Sequence, residues 1–271
     1  MIPASFDYEV AESPEHAIDL LGGTEDARAL AGGHSLIPAL KLRVARPAKI
    51  VDIGRLSALS YVRDAGTQVA IGALTRHKDV RDAALLQEHC PIVSTAAGQV
   101  GDPQVRHRGT IGGSLAHGDP ASDLPAVILA LGGELVVLGS AGERVVPAAE
   151  FFRGVWETAV GPGELLTEIR VPKTGANGFA FEKFNRRAQD FATVGVVAAR
   201  TNGATHVSLI NMGSTPLRAT AVEQALAQGA SPADAAAHAA EGTDPTADLN
   251  ASVEYREHLA RVLVRRALEA I

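Results

Sequence analysis

RALAGGHSLIPALKLR, residues 28–43, reads as a short strand that runs into two glycines and leaves as a helical turn. A second glycine pair stands in RHRGTIGGSLAHGDPASDLPAVILAL, residues 106–131, and reads the same way. A glycine pair after a strand permits positive φ and lets backbone approach a ligand closely. Successive N–H groups at such a turn make an anion-binding nest, and a following helix N-terminus adds its dipole. In the first loop the donors are the amides of Gly32 to Leu36, with the Ser35 hydroxyl beside them. In the second they are the amides of Ile111 to Ser114, with the Thr110 and Ser114 hydroxyls. Two such loops suit one dinucleotide, whose pyrophosphate presents two adjacent anions. Neither the dinucleotide fingerprint of alternating glycines nor the lysine-ended phosphate loop occurs in the chain.

Each feature also has a plainer reading. A glycine pair taken singly is more often a tight turn than a phosphate site. His34 alone is a surface histidine, and His34, His107 and His117 are too scattered for zinc. Asp123 can cap the helix that follows it, and Lys183 can be a solvated strand residue. Arg106 and Arg108 read as surface charges, and Phe191 reads as core.

The chain has 271 residues, enough for one large or two smaller domains. Its apolar fraction of 46% and charged fraction of 21% are those of a soluble globular protein. A net charge of −6 argues against a general nucleic-acid binder. No apolar run is long enough for a membrane span, and the N-terminus lacks a signal-peptide pattern. The single cysteine, Cys90, excludes an internal disulfide and a cysteine-ligated iron–sulfur cluster, so redox chemistry would need an organic cofactor. A cytoplasmic protein is expected.

Ser13-Pro14 predicts a capped helix over EHAIDLL, stopped at Gly22-Gly23. With strands at 28–31 and 48–53 this gives a small α/β subdomain over about residues 1–55. Hairpins are predicted at Ala65-Gly66 and Ser140–Gly142, a helix over DLPAVILAL, and a strand over ELLTEIRVP. Strands GFAFEKFN, FATVGVVAART and ATHVSLINMG follow, the last two joined at Asn202-Gly203. Helices close the chain, and the last is expected to bury Tyr255, Leu259, Val262 and Leu263. The fold class is α+β.

LAGGHSLIPALKLR followed some seventy residues later by GTIGGSLAHGDPASDLPA resembles the flavin-binding subunit of the xanthine dehydrogenase family of molybdenum hydroxylases, and most of all its carbon monoxide dehydrogenase branch. The likeness extends to MIPASFDY, GELLTEIRVP, FEKFNRRAQDFATVG and EYREHLARVLVRRAL. It implies an FAD-binding fold of the vanillyl-alcohol-oxidase or PCMH type over residues 1–175, with subdomains 1–55 and 56–175. A C-terminal domain of three antiparallel strands and helices would occupy 176–271.

The resemblance assigns Ala31, Gly32, Gly33, His34, Ser35, Leu36 and Ile37 to one side of the pyrophosphate. Thr110, Ile111, Gly112, Gly113 and Ser114 take the other side. It places Asp123 at the adenosine, Leu166 and Lys183 near the adenine and flavin, and Phe191 at the isoalloxazine, with Val100 and His117 as further contacts. Ser114 stands where asparagine is common in the family, and the cysteine-rich insertion of some relatives is missing.

The implied function is electron transfer by FAD, from two 2Fe–2S clusters on a small subunit to an external acceptor. Molybdopterin would lie on a large subunit that oxidises carbon monoxide, an N-heterocycle or an aldehyde. A dimer of heterotrimers is implied, cytoplasmic or peripheral at the inner membrane face, with no catalytic side chain on this subunit. The alternatives are a free-standing flavin reductase or dehydrogenase of the same fold, and a non-redox nucleotide-binding module.

Overall fold

The computed structural model describes residues 1–175, 178–201 and 203–271. The first unit alternates strand and helix: β1 (Asp7–Val10), α1 (Pro14–Gly22), β2 (Ala27–Leu30), α2 (Leu36–Leu42) and β3 (Lys49–Asp52). All three strands are parallel, in the order β1-β3-β2. The Ser13 side chain accepts from the His16 amide and Pro14 opens α1, as the sequence predicts. β1 is the strand that sequence reading overlooks, because DYEV is half exposed and lacks alternation.

The second unit begins with the hairpin β4 (Val62–Ala65) and β5 (Gln68–Gly72), turned at Gly66 with φ +77°. A run of short helices follows: α3 (His77–Asp82), α4 (Ala84–His89), α5 (Pro91–Gly98), α6 (Pro103–Arg108), α7 (Ile111–His117) and α8 (Asp123–Ala130). After these come β6 (Glu134–Gly139), β7 (Gly142–Pro147), α9 (Ala148–Phe151), β8 (Phe152–Gly154), β9 (Glu157–Thr158) and β10 (Leu165–Pro172). β10 lies at the centre of an antiparallel sheet ordered β4-β5-β10-β6-β7.

The third unit is an antiparallel sheet of β11 (Phe179–Phe184), β12 (Val194–Thr201), β13 (Ala204–Ile210) and β14 (Leu217–Arg218), in that order. The three expected strands are thus extended by one short edge strand. Helices α10 (Thr220–Ala227), α11 (Pro232–Ala237) and α12 (Val253–Glu269) cover it. Gly203 has φ +79°, but its predicted turn partner Asn202 and the predicted boundary at 175/176 involve residues outside the described ones.

Burial along β12 explains its apolar run. Val197 and Ala199 join the core of the second unit, which includes α5 and α8 residues such as Ile92 and Ile128. Val194, Val196 and Ala198 point the other way, into a core with Leu259 and Leu263 of α12. A strand buried on both faces reads as a continuous hydrophobic run. In α12 the buried face differs from the expected stripe. Leu259 and Leu263 are buried as predicted, but Tyr255 is exposed and Arg256 takes its place inside. The helix is rotated so that Ala260, Val264 and Ala267 complete the buried face, allowing close approach to the sheet.

Candidate functional site: two adjoining loops over an arginine-lined cavity

β2 ends at Leu30 and delivers the chain into Ala31–Ser35, after which α2 starts. Gly33 adopts φ +79°, the left-handed conformation expected of a glycine nest. The Ile37 amide donates to the Gly33 carbonyl at 2.9 Å and the Ala39 amide to Ser35 at 3.2 Å. Among the described residues, the amides of Gly32 to Leu36 donate to no backbone carbonyl. This first loop therefore presents a row of free N–H groups, as the sequence predicts.

The second loop differs from its prediction. No strand precedes it; α6 runs through Gly109 into the N-cap Thr110, and Gly112-Gly113 lie in the first turn of α7. Its amides are already committed. Ile111 donates to the Thr75 carbonyl at 3.0 Å, Gly112 to Ala73 at 2.9 Å, and Ser114 to Thr110 at 3.1 Å. Gly113 donates to Thr110 Oγ at 3.2 Å. Gly112 is a packing glycine, since a Cβ there would lie 2.4 Å from the Ala73 Cβ. The loop is thus a rigid wall rather than a second open nest. It offers the Ser114 hydroxyl and the proton of Thr110, whose oxygen already accepts.

The two loops adjoin directly. A Cβ on Gly32 would lie 2.3 Å from the Arg108 carbonyl oxygen and 2.7 Å from the Gly109 Cα. Between them opens a cavity of about 430 Å³, lined by Ala31, Gly32 and Ile37 on one side and Thr110 on the other. Arg55, Arg76 and Arg108 also line it, with Asp52, Ser57 and Ser60. Among the described residues, none of the three arginines is in an ion pair. Arg76 donates to the His107 carbonyl. Asp52, the one acid on this wall, is occupied by the Gly54 amide at 2.8 Å and the Tyr8 hydroxyl at 2.5 Å. Free amides with surplus guanidinium charge fit a diphosphate, which is both anionic and rich in acceptors. Arg108, read from sequence as a surface charge, faces this cavity, whereas Arg106 is turned inward to the Val100 and Gly101 carbonyls at 2.9 and 3.0 Å.

The remaining candidates lie outside the cavity wall. Asp123 is the first residue of α8, with Ser122 as N-cap, so it does not itself cap the helix. It forms an ion pair with Lys183 of β11 at 2.7 Å, both side chains nearly inaccessible. The Lys183 side chain is therefore buried, against the solvated reading. It also donates to the Gln99 carbonyl at 3.1 Å, and Asp123 Oδ1 is buried without a partner. Burial pushes the Asp123 carboxyl up to about 6, although the neighbouring ammonium pulls it down. Leu166 is buried on β10, and Val100 is packed at the edge of the core. His117 stacks on Trp156 with ring centroids 6.4 Å apart. His34 is exposed beside the first loop. Phe191 is 60% exposed, which removes the core reading for it.

Sequence reading misses Arg55, Arg76 and His77. Arg55 and Arg76 lie apart from both glycine motifs, and their convergence needs the turns after β3 and β5. His77 is buried beneath Gly109; burial, then the charges of His34 and Arg106, lower its pKa to about 4. A buried histidine beneath the second loop has no sequence signature.

Residues 4–174 match the family model described as FAD binding domain in molybdopterin dehydrogenase, and residues 179–271 that of the CO dehydrogenase flavoprotein C-terminal domain. The chain is 40% identical to the 6-hydroxypseudooxynicotine dehydrogenase complex subunit alpha of Paenarthrobacter nicotinovorans, over 99% of this chain and 95% of that protein. It is 39% identical to the carbon monoxide dehydrogenase medium chain of Hydrogenophaga pseudoflava, over 100% of this chain and 98% of that protein. The solved carbon monoxide dehydrogenase from Hydrogenophaga pseudoflava that lacks the Mo-pyranopterin moiety superposes with a TM-score of 0.94 at 40% identity, covering 100% of this chain and 98% of that one. A free-amide loop packed against a glycine helix start, in a chain matched over its whole length by these flavoproteins, leaves one assignment: the chain belongs to the FAD-binding medium-subunit family of the molybdenum hydroxylases.

Proposed function

We propose that the chain binds FAD with its diphosphate on the amides of Gly32 to Leu36, and serves as the electron-transfer flavoprotein subunit of a molybdenum hydroxylase complex. The single observation that carries the binding mode is a loop of uncommitted amides whose Ala31, Gly32 and neighbouring Ile37 line a cavity shared with Arg55, Arg76 and Arg108. Bound FAD supplies a redox centre that accepts electrons from 2Fe–2S clusters of a partner subunit and passes them to an external acceptor. The protein's own work is placement. Ala31 and Ile37 bound the cavity, Gly32 lets the loops meet, and Thr110 fixes the start of α7. Ile111, Gly112, Gly113 and Ser114, which follow Thr110 in the first turn of α7, are proposed to meet the diphosphate from the other side, and Asp123, Leu166, Lys183 and Phe191 are proposed contacts of the remainder of the cofactor. Val100 and His117 are proposed as outlying members of the same site. No side chain of this subunit acts as acid, base or nucleophile.

The reading implies partner subunits carrying molybdopterin and the clusters, assembled as a dimer of heterotrimers, cytoplasmic or held at the inner face of the membrane. Among the described residues no helix is long and apolar enough to cross a membrane. The oxidised substrate would be carbon monoxide, an N-heterocycle or an aldehyde, chosen by the large subunit. Chromatography of the flavin released by heat tests the cofactor, and FAD is the expected product. FMN, with one phosphate, or no flavin at all would overturn the reading. Native mass spectrometry of the assembly from its own cells tests the rest; an active monomer would favour a free-standing flavin dehydrogenase.

A further inference from the structure

The loop between β11 and β12 carries Phe191 on its outer side and is gripped from within by two side chains remote from the phosphate cavity. Ala192 and Thr193, the two residues after the exposed ring, are buried. Asn211, directly after β13, donates Nδ2 to the Ala192 carbonyl at 2.8 Å and to the Thr193 carbonyl at 3.3 Å. Its own amide donates to Pro120 at 2.9 Å, in the turn leading to α8. Arg256 of α12 donates Nη1 to the same Thr193 carbonyl, and its Nη2 lies 2.8 Å from Asp248 Oδ2. The base of the loop is closed by the Thr193 amide on the Phe184 carbonyl at 2.8 Å. Its flank is tied by Arg186 Nη1 to Asn250 Oδ1 at 3.1 Å.

These contacts are costly ones. Arg256 is 2% exposed and its Nε has no partner. A buried guanidinium paired with one half-exposed carboxylate is commonly matched in stability by an apolar side chain of the same volume. Asn211 has φ +61°, a left-handed backbone that asparagine adopts more readily than other residues carrying a Cβ. Both converge on the consecutive carbonyls of Ala192 and Thr193, immediately behind the exposed Phe191 ring. Such an arrangement fixes where a ring points and adds little to a core.

We infer that Asn211 and Arg256 are positioning residues that hold the Phe191 segment so that its ring lies against the isoalloxazine of the bound flavin. The inference rests on the FAD reading above and on Phe191 standing at the flavin, and one set of variants separates the three. Phe191→Leu, Asn211→Ala, Arg256→Met and Arg256→Lys are compared in the FAD-loaded assembly. The readouts are FAD content, the visible absorbance and circular dichroism of the flavin, its reduction potential, its reoxidation rate, and hydrogen exchange at 190–194. Phe191→Leu is expected to shift the flavin spectrum at unchanged FAD content. Asn211→Ala and Arg256→Met should shift it in the same direction, speed amide exchange in the segment, and alter reoxidation roughly three- to tenfold through misplacement. Arg256→Lys should restore part of the signal, and Asn211→Ala should add nothing on the Phe191→Leu background.

If Asn211→Ala loosens the amides while the flavin signals keep parent values, and Phe191→Leu moves them, the grip is merely structural and the inference is overturned. If Phe191→Leu leaves the flavin unchanged, the ring is away from it and the inference falls with the FAD reading intact. A parent assembly without FAD overturns that earlier reading first. Should the Arg256 variants fail to fold, the Asn211→Ala result decides alone.

Discussion

Gly32 and Gly113 illustrate how two glycines of similar motifs differ in what they do. A Cβ at Gly32 would strike backbone, the Arg108 carbonyl and the Gly109 Cα, so it cannot be relieved by a rotamer change. Gly113 is solvent-exposed, and the atom its Cβ would meet under 3.0 Å is the Thr110 hydroxyl oxygen. Gly32→Ala is therefore expected to force the loops apart and abolish flavin retention, measured as the ratio of visible to ultraviolet absorbance after gel filtration. Gly113→Ala should keep most of its FAD. Phe191 belongs at this scale as well. A phenylalanine truncated in a core costs about 3–5 kcal/mol, whereas surface changes usually stay within about 0.5 kcal/mol. At 60% exposure, Phe191→Ala should lower the melting temperature of the FAD-free chain only slightly. A large loss there would mean that the ring is packed.

At the scale of elements, two buried titratable groups oppose each other. His77 opens α3 beneath the second loop, and its value of about 4 means that the folded chain refuses a proton that the unfolded chain accepts near 6.5. Stability from this group is present above that ordinary value and is lost as pH falls toward 4. Asp123 joins α8 to β11 through Lys183, and its raised value of about 6 reverses the sign. The folded chain takes up that proton before the unfolded one does, so its contribution is present below the ordinary carboxylate value of 3.8 and is lost as pH rises through about 6. Each slope is about 1.4 kcal/mol per pH unit, so over the shared window the two nearly cancel. Relative to the parent, His77→Gln should gain stability as pH is lowered from 6 to 4, and Asp123→Asn should lose it; urea unfolding at several pH values reads both. Asp123→Asn also strands a buried ammonium and should cost about 3 kcal/mol at neutral pH, which Asp123→Leu with Lys183→Met should largely recover.

Elements also show what sequence can and cannot disclose. α1 and the first-loop strand–glycine–helix turn were legible because the Ser13-Pro14 cap and Gly33 act locally. The second loop was not. GTIGGS carries the same letters, but Thr75 and Ala73 reach its amides only once β5 has been placed. The α12 stripe failed for a related reason: helical spacing permits several rotations, and small residues facing the sheet fixed one that buries Arg256 and exposes Tyr255. Ion pairs such as Asp123–Lys183, sixty positions apart, leave no periodic trace.

For the whole molecule, the decisive fact is that the sheet of the third unit is covered on both faces. Phe179, Phe181, Val197, Ala199 and Ile210 belong to the core of the second unit, while the opposite side of the same sheet belongs to α10–α12. The Pro120–Asn211 and Asp123–Lys183 contacts cross the same seam. Residues 1–175 expressed alone should expose this apolar surface and aggregate or bind a hydrophobic dye. The full chain should unfold in one calorimetric transition; two separated transitions would show that the units are energetically independent.

β12 thus serves two cores at once, as a shared beam serves two rooms. A redox carrier seated among units so joined has no swing to make: its separation from whatever stands outside is set by the frame, and rate can be tuned only by what lies along the path. Turnover in such a subunit should therefore depend little on solvent viscosity, because no panel of the structure has to travel before charge does.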